Sequence, residues 1–255
     1  MERVVSYLWV IPVLVIIVYI LVEAACVLPT YKRKDPACRS YFELFLYATF
    51  WAIMFYRIAH FLHKTGLKFL ARLISQFARF LTGIEIHPGA VIGKDIFIDH
   101  GMGVVIGETT IIGNNVTIYQ CVTLGGTGKD VGKRHPTIGD NVLVGTGAKI
   151  LGPITIGNNS KVGAGAVVIK DVPPHTTVVG VPAKAVEKTK ELIPADTLDQ
   201  IDLCDPTEDE IALLRNKISE LEKILACIEK NSRAQSGNGN NSESIQDELS
   251  FDDGR

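Results

Sequence analysis

Two short stretches of the sequence carry side chains that can move a proton or bind a carboxylate. The first contains Asp99 and His100, and the second, residues 125–136, reads GGTGKDVGKRHP and contains Arg134 and His135. Histidine titrates near neutral pH and is suited to act as a general base, whereas an arginine guanidinium can hold a carboxylate through two parallel hydrogen bonds. These residue types indicate acid–base chemistry on a small polar substrate.

Both stretches lie within a repeat in which an aliphatic residue recurs every six positions. Eight of the thirteen repeat residues are followed directly by glycine, and a small or β-branched residue is frequent four positions later. A period of six matches neither the 3.6-residue α-helix nor the alternation of an ordinary strand. It is typical of a triangular coil, in which each face holds one hexapeptide and the aliphatic side chain points into a narrow core. The thirteen residues are Ile86, Ile92, Ile98, Ile106, Ile112, Ile118, Leu124, Ile138, Val144, Ile150, Ile156, Val162 and Val168.

The six-residue spacing fails at only two places, and these contain the two stretches. Between Ile98 and Ile106 the step is eight residues, and between Leu124 and Ile138 it is fourteen. Extra residues in a stacked coil must leave it as a loop, where binding groups are commonly displayed. A histidine at such a corner is commonly only a solvated turn residue, but the interrupted repeat and the acidic neighbour favour a catalytic role for His100.

Helical segments are predicted on both sides of the repeat. Residues 32–83 combine apolar positions with scattered basic residues, which predicts helices interrupted at Gly66. Residues 187–230 form an extension in which Asp205-Pro206-Thr207-Glu208 supplies a helix start. Apolar residues then alternate steps of three and four, which predicts an amphipathic helix that forms a coiled coil or packs on its own subunit. Residues 231–255 are rich in Ser, Asn, Gly and Asp and are predicted to be disordered.

The amino-terminal segment, residues 1–31, is hydrophobic. From Val4 to Val22 it has 19 residues without a charge, which as a helix would extend roughly 28 Å, about the thickness of a bilayer core. A membrane anchor, a cleaved signal peptide and a helix buried against other subunits are the three interpretations, of which we favour the anchor. Basic residues 32–34 then place the catalytic domain in the cytoplasm, at the inner face of the membrane.

Composition narrows the choice of partners. At 255 residues the chain can bury a sizeable core, and its net charge of −2 gives no reason to expect a nucleic-acid partner. The five cysteines form no C-x-x-C pair, so they predict neither a disulfide framework nor a zinc module but free thiols in a reducing compartment. The expected ligand is therefore a small molecule.

Three stretches together resemble one family, the serine O-acetyltransferases, which belong to the hexapeptide-repeat acyltransferases. They are DPACRSYFE at 35–43, GIEIHPGAVIGKDIFIDHGMGVVIGET at 83–109 and VTLGGTGKDVGKRHPTIGD at 122–140. The resemblance implies a mainly β fold, with a left-handed parallel β-helix over residues 84–186 after a small α-helical region and before a C-terminal helix. It further implies a homotrimer or a dimer of trimers. The implied activity is transfer of acetyl from acetyl-CoA to L-serine, the first step of cysteine biosynthesis from serine.

The resemblance also implies roles for residues at the first break. His100 matches the family's catalytic base, which takes the serine hydroxyl proton and later protonates the CoA thiolate. Glu85 matches the acidic residue that orients the imidazole and stabilises its protonated form, as the acid of a hydrolase triad does. Asp35 and Asp99 match the residues that face the substrate ammonium.

The remaining implied contacts involve the second break and the coils beyond it. Arg134 and His135 match the residues that hold the serine carboxylate, and the planar fork of an arginine suits that task. Acetyl-CoA would lie along the coil at a subunit boundary, and no metal is expected. Its implied contacts are Gly126, Thr127, Gly145 and Thr146.

Three other functions are compatible with a hexapeptide repeat. A different hexapeptide acetyltransferase would act on a sugar, amine or alcohol, and a γ-type carbonic anhydrase would need three histidine zinc ligands, for which His87, His100 and His135 would be available. A non-catalytic trimeric scaffold is a third possibility. Many relatives bind O-acetylserine sulfhydrylase through a C-terminal isoleucine, and since this sequence ends in Arg255, that complex is not expected.

Overall fold

The repeat region forms a triangular parallel β-helix, as a computed structural model shows. The structure describes Leu14, Val18 and residues 21–128, 131–188, 194–197 and 206–238. Thirteen short strands follow one another around three faces, and two longer strands close one face. The strands are β1 (Glu85–Ile86), β2 (Val91–Ile92), β3 (Phe97–Ile98), β4 (Val105–Ile106), β5 (Ile111–Ile112), β6 (Thr117–Ile118), β7 (Thr123–Gly125), β8 (Thr137–Ile138), β9 (Leu143–Val144), β10 (Lys149–Leu151), β11 (Thr155–Ile156), β12 (Lys161–Val162), β13 (Val167–Val168), β14 (Thr176–Val179) and β15 (Lys184–Lys188).

Every third strand lies on the same face, which gives three sheets. Sheet 1 has the order β1-β4-β7-β10-β13, sheet 2 the order β11-β8-β5-β2, and sheet 3 the order β15-β14-β12-β9-β6-β3. All pairs are parallel except β14 with β15. The prediction of one hexapeptide per face is therefore confirmed.

The thirteen repeat residues form the core of the prism. Each lies in one of the strands β1 to β13, and none is more than 5 % exposed. The second predicted interior position is filled by small or β-branched side chains that are fully buried: Ala90, Thr110, Val116, Val122, Val142, Ala148 and Ala166. Burial of each aliphatic side chain contributes about 1.5–3 kcal/mol, so the periodic pattern accounts for most of what holds the coil together.

The register of sheet 1 shows where the two breaks lie. The successive partners Glu85, Val105, Thr123, Lys149 and Val167 are 20, 18, 26 and 18 residues apart. A regular coil of three hexapeptides has eighteen residues. The coils of 20 and 26 residues therefore hold two and eight extra residues, which lie after β3 and after β7, at the two breaks in the repeat.

An α-helix before the prism covers the outer face of sheet 3. This helix, α1, includes residues 21–34. The ring of Tyr31 packs edge-on against Phe97 at 5.0 Å between centroids, and the amine of Lys34 donates to the hydroxyl of Thr117 at 3.0 Å. Thr117 in turn donates to the carbonyl of Ala195, in the short helix α4 (Pro194–Thr197). One segment that precedes the prism in the sequence and one that follows it therefore bury this face.

Two further helices pack against the first coil. A 3₁₀ turn at Glu43–Leu46 leads into α2 (Ala48–Lys64), and α3 (Lys68–Thr82) follows after a break at Gly66, as predicted. Residues 35–42, predicted within the helical region, form no regular helix. Asp35 accepts a hydrogen bond from the amide of Ala37, a local turn that competes with helix formation.

The C-terminal helix α5 spans Pro206–Asn238 and belongs to a second compact unit, Thr207–Arg255. It begins where the Asp205-Pro206 signal predicts. It runs past residue 230, so the prediction of disorder is wrong for residues 231–238. A helix propagates at little cost through good helix formers such as Arg233, Ala234 and Gln235. Residues 239–255 lie outside the described residues.

The predicted membrane anchor falls almost entirely on residues that the structure does not describe. Of residues 4–22, only Leu14, Val18, Leu21 and Val22 are described, all of them helical. Within the described parts of the chain, no helix combines the length and the apolar character needed to cross a membrane. The anchor therefore stays a prediction.

Candidate active site

A cleft of about 430 Å³ lies beside the first break in the repeat. Three elements form it: the segment that follows α1, the start of α2, and the end of β3 with the loop behind it. It brings together three predicted site residues, Asp35, Asp99 and His100. The complete lining is Asp35, Pro36, Ala37, Tyr47, Ala48, Thr49, Phe97, Ile98, Asp99 and His100.

The imidazole of His100 is the accessible base of this cleft. Its side chain is 75 % exposed, and its Nε2 atom lies 3.9 Å from Oδ1 of Asp99. The residue has a positive φ of 55°, but Asp95, Asn115 and Asn141 at other corners share this conformation. The backbone geometry of His100 is thus a property of the corner, and its accessibility and acidic neighbour distinguish it.

Asp99 differs from an ordinary surface carboxylate. Burial raises its pKa above the usual value, Asp35 adds to that rise, and His100 opposes it. Two carboxylates facing one cleft repel each other unless a cation lies between them. The cleft is therefore suited to a substrate ammonium.

Asp35 is fixed by contacts that the sequence did not reveal. The hydroxyl of Tyr47 donates to Oδ2 of Asp35 at 2.7 Å, while the amide of Ala37 donates to Oδ1 at 2.8 Å. The bond to Asp35 raises the pKa of Tyr47 to about 12, so the phenol remains a donor at neutral pH. Tyr47 was not predicted as a site residue, because it lies outside the repeat and twelve residues from Asp35.

Gly101 lets the loop that carries His100 approach the helical region. It has a φ of 75°, and a Cβ atom there would lie 2.6 Å from side-chain atoms of both Ile84 and Thr49. Any larger residue would push the loop away from α2. The close contact thereby fixes the catalytic loop relative to the other wall of the cleft.

The second group of predicted residues is organised around Thr109. Its hydroxyl accepts hydrogen bonds from the amides of Arg134 at 3.0 Å and His135 at 3.1 Å. The guanidinium of Arg134 pairs with the carboxylate of Glu108 at 2.6 Å, and Lys133 donates to the carbonyl of Thr109 at 2.7 Å. Neither Glu108 nor Thr109 was predicted, since both belong to the regular repeat.

His135 is held in one tautomer. The amide of Thr109 donates to its Nδ1 atom at 3.2 Å, so Nδ1 is unprotonated and a neutral ring carries its proton on Nε2. Burial, followed by the neighbouring Arg134 guanidinium, holds the pKa of His135 below its ordinary value. A Cβ atom on Gly107 would lie 2.2 Å from Nε2, so this ring position requires glycine. His135 is therefore a neutral N–H donor next to a guanidinium, an arrangement that suits a carboxylate.

The two groups lie at opposite edges of sheet 1. Asp99 and His100 follow β3 of sheet 3 and precede β4 of sheet 1, whereas Arg134 and His135 follow β7 of sheet 1 and precede β8 of sheet 2. A face of six residues corresponds to roughly 20 Å of extended chain, several times the length of an amino acid. One chain therefore does not bring the two groups together around a small substrate.

Glu85 occupies a different place from the one implied for it. Its carboxylate lies 3.2 Å from Arg72 and 3.2 Å from Arg79, both on α3, and it does not line the cleft. Among the described residues, the carboxylate beside the His100 imidazole is that of Asp99, 3.9 Å from Nε2. The two guanidinium groups are permanent cations and hold the Glu85 carboxylate at the α3 side. The role implied for Glu85 in orienting His100 stays a prediction.

The four residues implied for acetyl-CoA divide between the same two edges. Thr146 lies between β9 and β10, on the edge of His100, and Gly126 and Thr127 follow β7, on the edge of Arg134. Gly145 is buried and its amide donates to the carbonyl of Val162 at 2.8 Å. That amide is already used within the prism, and the contacts of acetyl-CoA with these four residues stay a prediction.

The imidazoles that a zinc site would need are also separated. His87 and His135 lie on the edge between sheets 1 and 2, and His100 lies on the other edge of sheet 1. Within the ranges that the structure describes, no three His, Cys, Asp or Glu side chains form a group that could hold a metal ion. The ring of His63 lies near His87 at this edge, with 6.2 Å between the two centroids.

Known proteins share this architecture. Residues 135–170 match the bacterial transferase hexapeptide family (six repeats). A serine acetyltransferase of Bacillus subtilis is 59 % identical over 193 residues, 75 % of this chain and 88 % of the relative. A solved serine acetyltransferase in complex with cysteine has a TM-score of 0.70 and 42 % identity, covering 72 % of each chain. A soybean serine acetyltransferase complexed with serine has a TM-score of 0.62 and 51 % identity, covering 64 % of this chain and 68 % of that chain.

Fold and repeat together define a hexapeptide-repeat transferase with the left-handed parallel β-helix that the resemblance implied. The extent of the similarity is more specific than the repeat alone, because it covers most of both chains at well over half identity. The chain belongs to the serine acetyltransferase family.

Proposed function

We propose that this protein is a serine O-acetyltransferase, which converts acetyl-CoA and L-serine to CoA and O-acetyl-L-serine, the first step of cysteine biosynthesis from serine. The observation that carries the proposal is the cleft that joins Asp35, Asp99 and the exposed imidazole of His100. The relatives named serine acetyltransferase support it. The cleft has a volume of about 430 Å³, which is sufficient for an amino acid and the end of a thioester.

A single histidine can carry out both proton transfers of the reaction. His100 takes the proton from the serine hydroxyl while the oxygen attacks the thioester carbonyl of acetyl-CoA. The tetrahedral intermediate then collapses, the carbon–sulfur bond breaks, and the imidazolium gives its proton to the departing thiolate. Asp99, 3.9 Å from Nε2, favours the imidazolium that forms between the two proton transfers.

The cleft accounts for the selection of an amino acid. Asp35 and Asp99 present two carboxylates to the substrate ammonium, and Tyr47 together with the amide of Ala37 keeps Asp35 in place. A neutral sugar would supply no cation, so the two half-buried carboxylates would face each other without a charge between them. The cost of that repulsion separates an amino-acid substrate from a sugar.

The carboxylate of serine needs a second copy of the chain. Arg134 and His135 supply a guanidinium and a neutral N–H donor, but they lie at the opposite edge of sheet 1 from His100. In a cyclic trimer, the edge carrying Arg134 in one copy can meet the edge carrying His100 in the next. We therefore place each active site between two subunits, with acetyl-CoA along the same boundary near Thr146 and Thr127.

A thiol-release assay with acetyl-CoA tests the activity directly. The acceptor panel contains L-serine, L-homoserine, a simple alcohol and an amino sugar, and we expect turnover with serine at a rate far above the others. His100→Ala should reduce the rate by about 10² to 10⁴-fold, since that is the usual contribution of a positioned base.

His175→Ala is the matched control for this variant. His175 is also a corner histidine with a positive φ, 56°, but it lies outside the cleft, and its replacement should leave the rate unchanged. Turnover of the amino sugar above that of serine would favour another hexapeptide acetyltransferase. No turnover with any acceptor would contradict an enzymatic function.

A further inference from the structure

The C-terminal helix α5 presents an apolar stripe that is exposed along the part of the helix whose side chains the structure describes. Every residue from 211 to 231 is exposed. Six large aliphatic residues, each between 43 % and 59 % exposed, lie three and four positions apart along it: Ile211, Leu214, Ile218, Leu221, Leu225 and Ile228. Soluble proteins rarely leave a contiguous stripe of this length open to water.

A single helix of this kind is poorly stable alone. In proteins, most of the stability of a helix comes from packing of its amphipathic face, and less comes from helix propensity. The apolar residues of α5 follow the three-and-four spacing of a coiled-coil seam, with Lys217 and Glu222 beside it; Leu213 and Ile224 are the two further large aliphatic residues among those described on this helix.

The steps along the seam define the heptad positions. Ile211, Ile218 and Leu225 occupy position a, and Leu214, Leu221 and Ile228 occupy position d, because the step from a to d is three residues. No polar residue interrupts the seam over these heptads. The six layers can therefore pack as a continuous dry interface.

The residues that flank the seam define its direction. Lys217 occupies position g and Glu222 position e, five residues later. In a parallel, in-register coiled coil, position g of one helix lies beside position e of the next heptad in its neighbour. Lys217 of each copy would then face Glu222 of another copy, which is an attractive pair.

We propose that α5 associates in parallel and in register with α5 of other copies of this chain. In the antiparallel alternative, layers would combine position a of one helix with position d of the other, so Leu214 would face Leu225 and Lys217 would face Ile224. In the parallel arrangement, each a residue faces the same a residue of the other copy, and each d residue faces the same d residue. This association does not depend on the proposed enzymatic activity.

Cysteine crosslinking in the full-length protein tests direction and register. The background carries serine at the native cysteines other than the buried Cys38, and one new cysteine is added to each variant. Leu214→Cys and Leu221→Cys should each form disulfide-linked pairs of chains under mild oxidation. We expect rates at least tenfold above that of Glu220→Cys, the control at the outward position c.

Two outcomes would overturn the proposal. One is crosslinking of both seam variants at the rate of the control. The other is crosslinking only when Leu214→Cys and Leu225→Cys are present together, which is the signature of antiparallel helices.

Exchange of charges provides an independent test. In the Leu214→Cys background, Lys217→Glu alone and Glu222→Lys alone should each slow crosslinking several-fold, because like charges then face each other. The double exchange restores the attraction with reversed sign and should recover the original rate. Failure of the double variant to recover, with the helical content measured by circular dichroism unchanged, would contradict the parallel register.

Discussion

Mixing two inactive variants tests whether each active site is shared between subunits. His100→Ala removes the base from one edge of sheet 1, and Arg134→Ala removes the carboxylate ligand from the other edge. Loss of two charge-assisted hydrogen bonds, each contributing about 1.5–3 kcal/mol, should lower kcat/KM of the arginine variant by at least about 10²-fold. Each variant alone is then nearly inactive.

The expected recovery follows from counting sites in a cyclic trimer. A mixed trimer has three boundaries, and at one of them an intact His100 meets an intact Arg134 from its neighbour. Trimers that contain both variants should therefore recover about one third of wild-type activity, and a random equal mixture about one quarter. A site contained within one chain would give no recovery.

The assay requires assemblies that are known to be mixed. The two variants are co-expressed with different affinity tags, and purification over both resins retains only trimers containing each kind of chain. Acetyl transfer to serine is then measured per trimer. Activity no greater than that of either parent, in material that contains both tags, would refute a site between subunits.

Three further predictions concern Asp99, Lys34 and the amino terminus. Acidification should lower kcat/KM for serine through two groups, because His100 must be unprotonated to act as the base and Asp99, whose pKa is raised by burial, must be ionised to bind the ammonium. Asp99→Asn should remove the second contribution and make the fall less steep, whereas Glu85→Gln, measured beside it, should keep the steeper fall; an unchanged profile in Asp99→Asn would count against this role. Burial lowers the pKa of Lys34 to about 8 from 10.5, so the unfolded chain binds more protons between these values and wild-type stability should rise with pH there. At about 1.36 kcal/mol per pKa unit, the gain in the free energy of unfolding amounts to roughly 3 kcal/mol. Lys34→Met, which has no buried charge at this position, should be more stable than the wild type at pH 7. Chemical denaturation that shows no such gain, or no pH dependence in the wild type, would count against this prediction. Deletion of residues 1–30 should release the protein from washed membranes, whereas a full-length protein found only in the soluble fraction would contradict the anchor.

The repeat positions of the prism core could be predicted because their determinants are periodic, whereas core residues outside the repeat, such as Ile96 and Val104, could not. Each aliphatic residue at the sixth position meets its equivalent one coil away, so the spacing within the sequence is also the spacing within the structure. Ile98 and Leu124, the last regular residues before each break, therefore located the two loops without any knowledge of the fold.

The arrangement of the site could be predicted only in part. His100 and Arg134 were recognised because they interrupt the repeat, whereas Thr109 was missed because it obeys the repeat and acts through a contact 25 residues away. The same holds for Tyr47, which reaches Asp35 from a different element. Contacts between elements without a common period leave no signal in a single sequence.

Charges caused the other departures from expectation. Glu85 pairs with Arg72 and Arg79, which lie about two helical turns apart on α3. Their distances from Glu85 along the sequence follow no pattern that would predict the pairing. An ion pair depends on which side chains the packing of α3 brings near β1. Such packing is decided by apolar contacts, and the charges that meet are its consequence.

The eighteen-residue coil restricts how this protein can change in length. Loss or gain of a single residue in a regular coil would rotate every later side chain by one position around the prism and turn core residues such as Ile150 toward water. Removal of residues 148–165 would instead join Gly147 to Ala166, which occupies the same position as Ala148 one coil later. The prism can therefore be shortened or lengthened in whole coils, and genes for such proteins should differ by multiples of fifty-four bases within the regular coil.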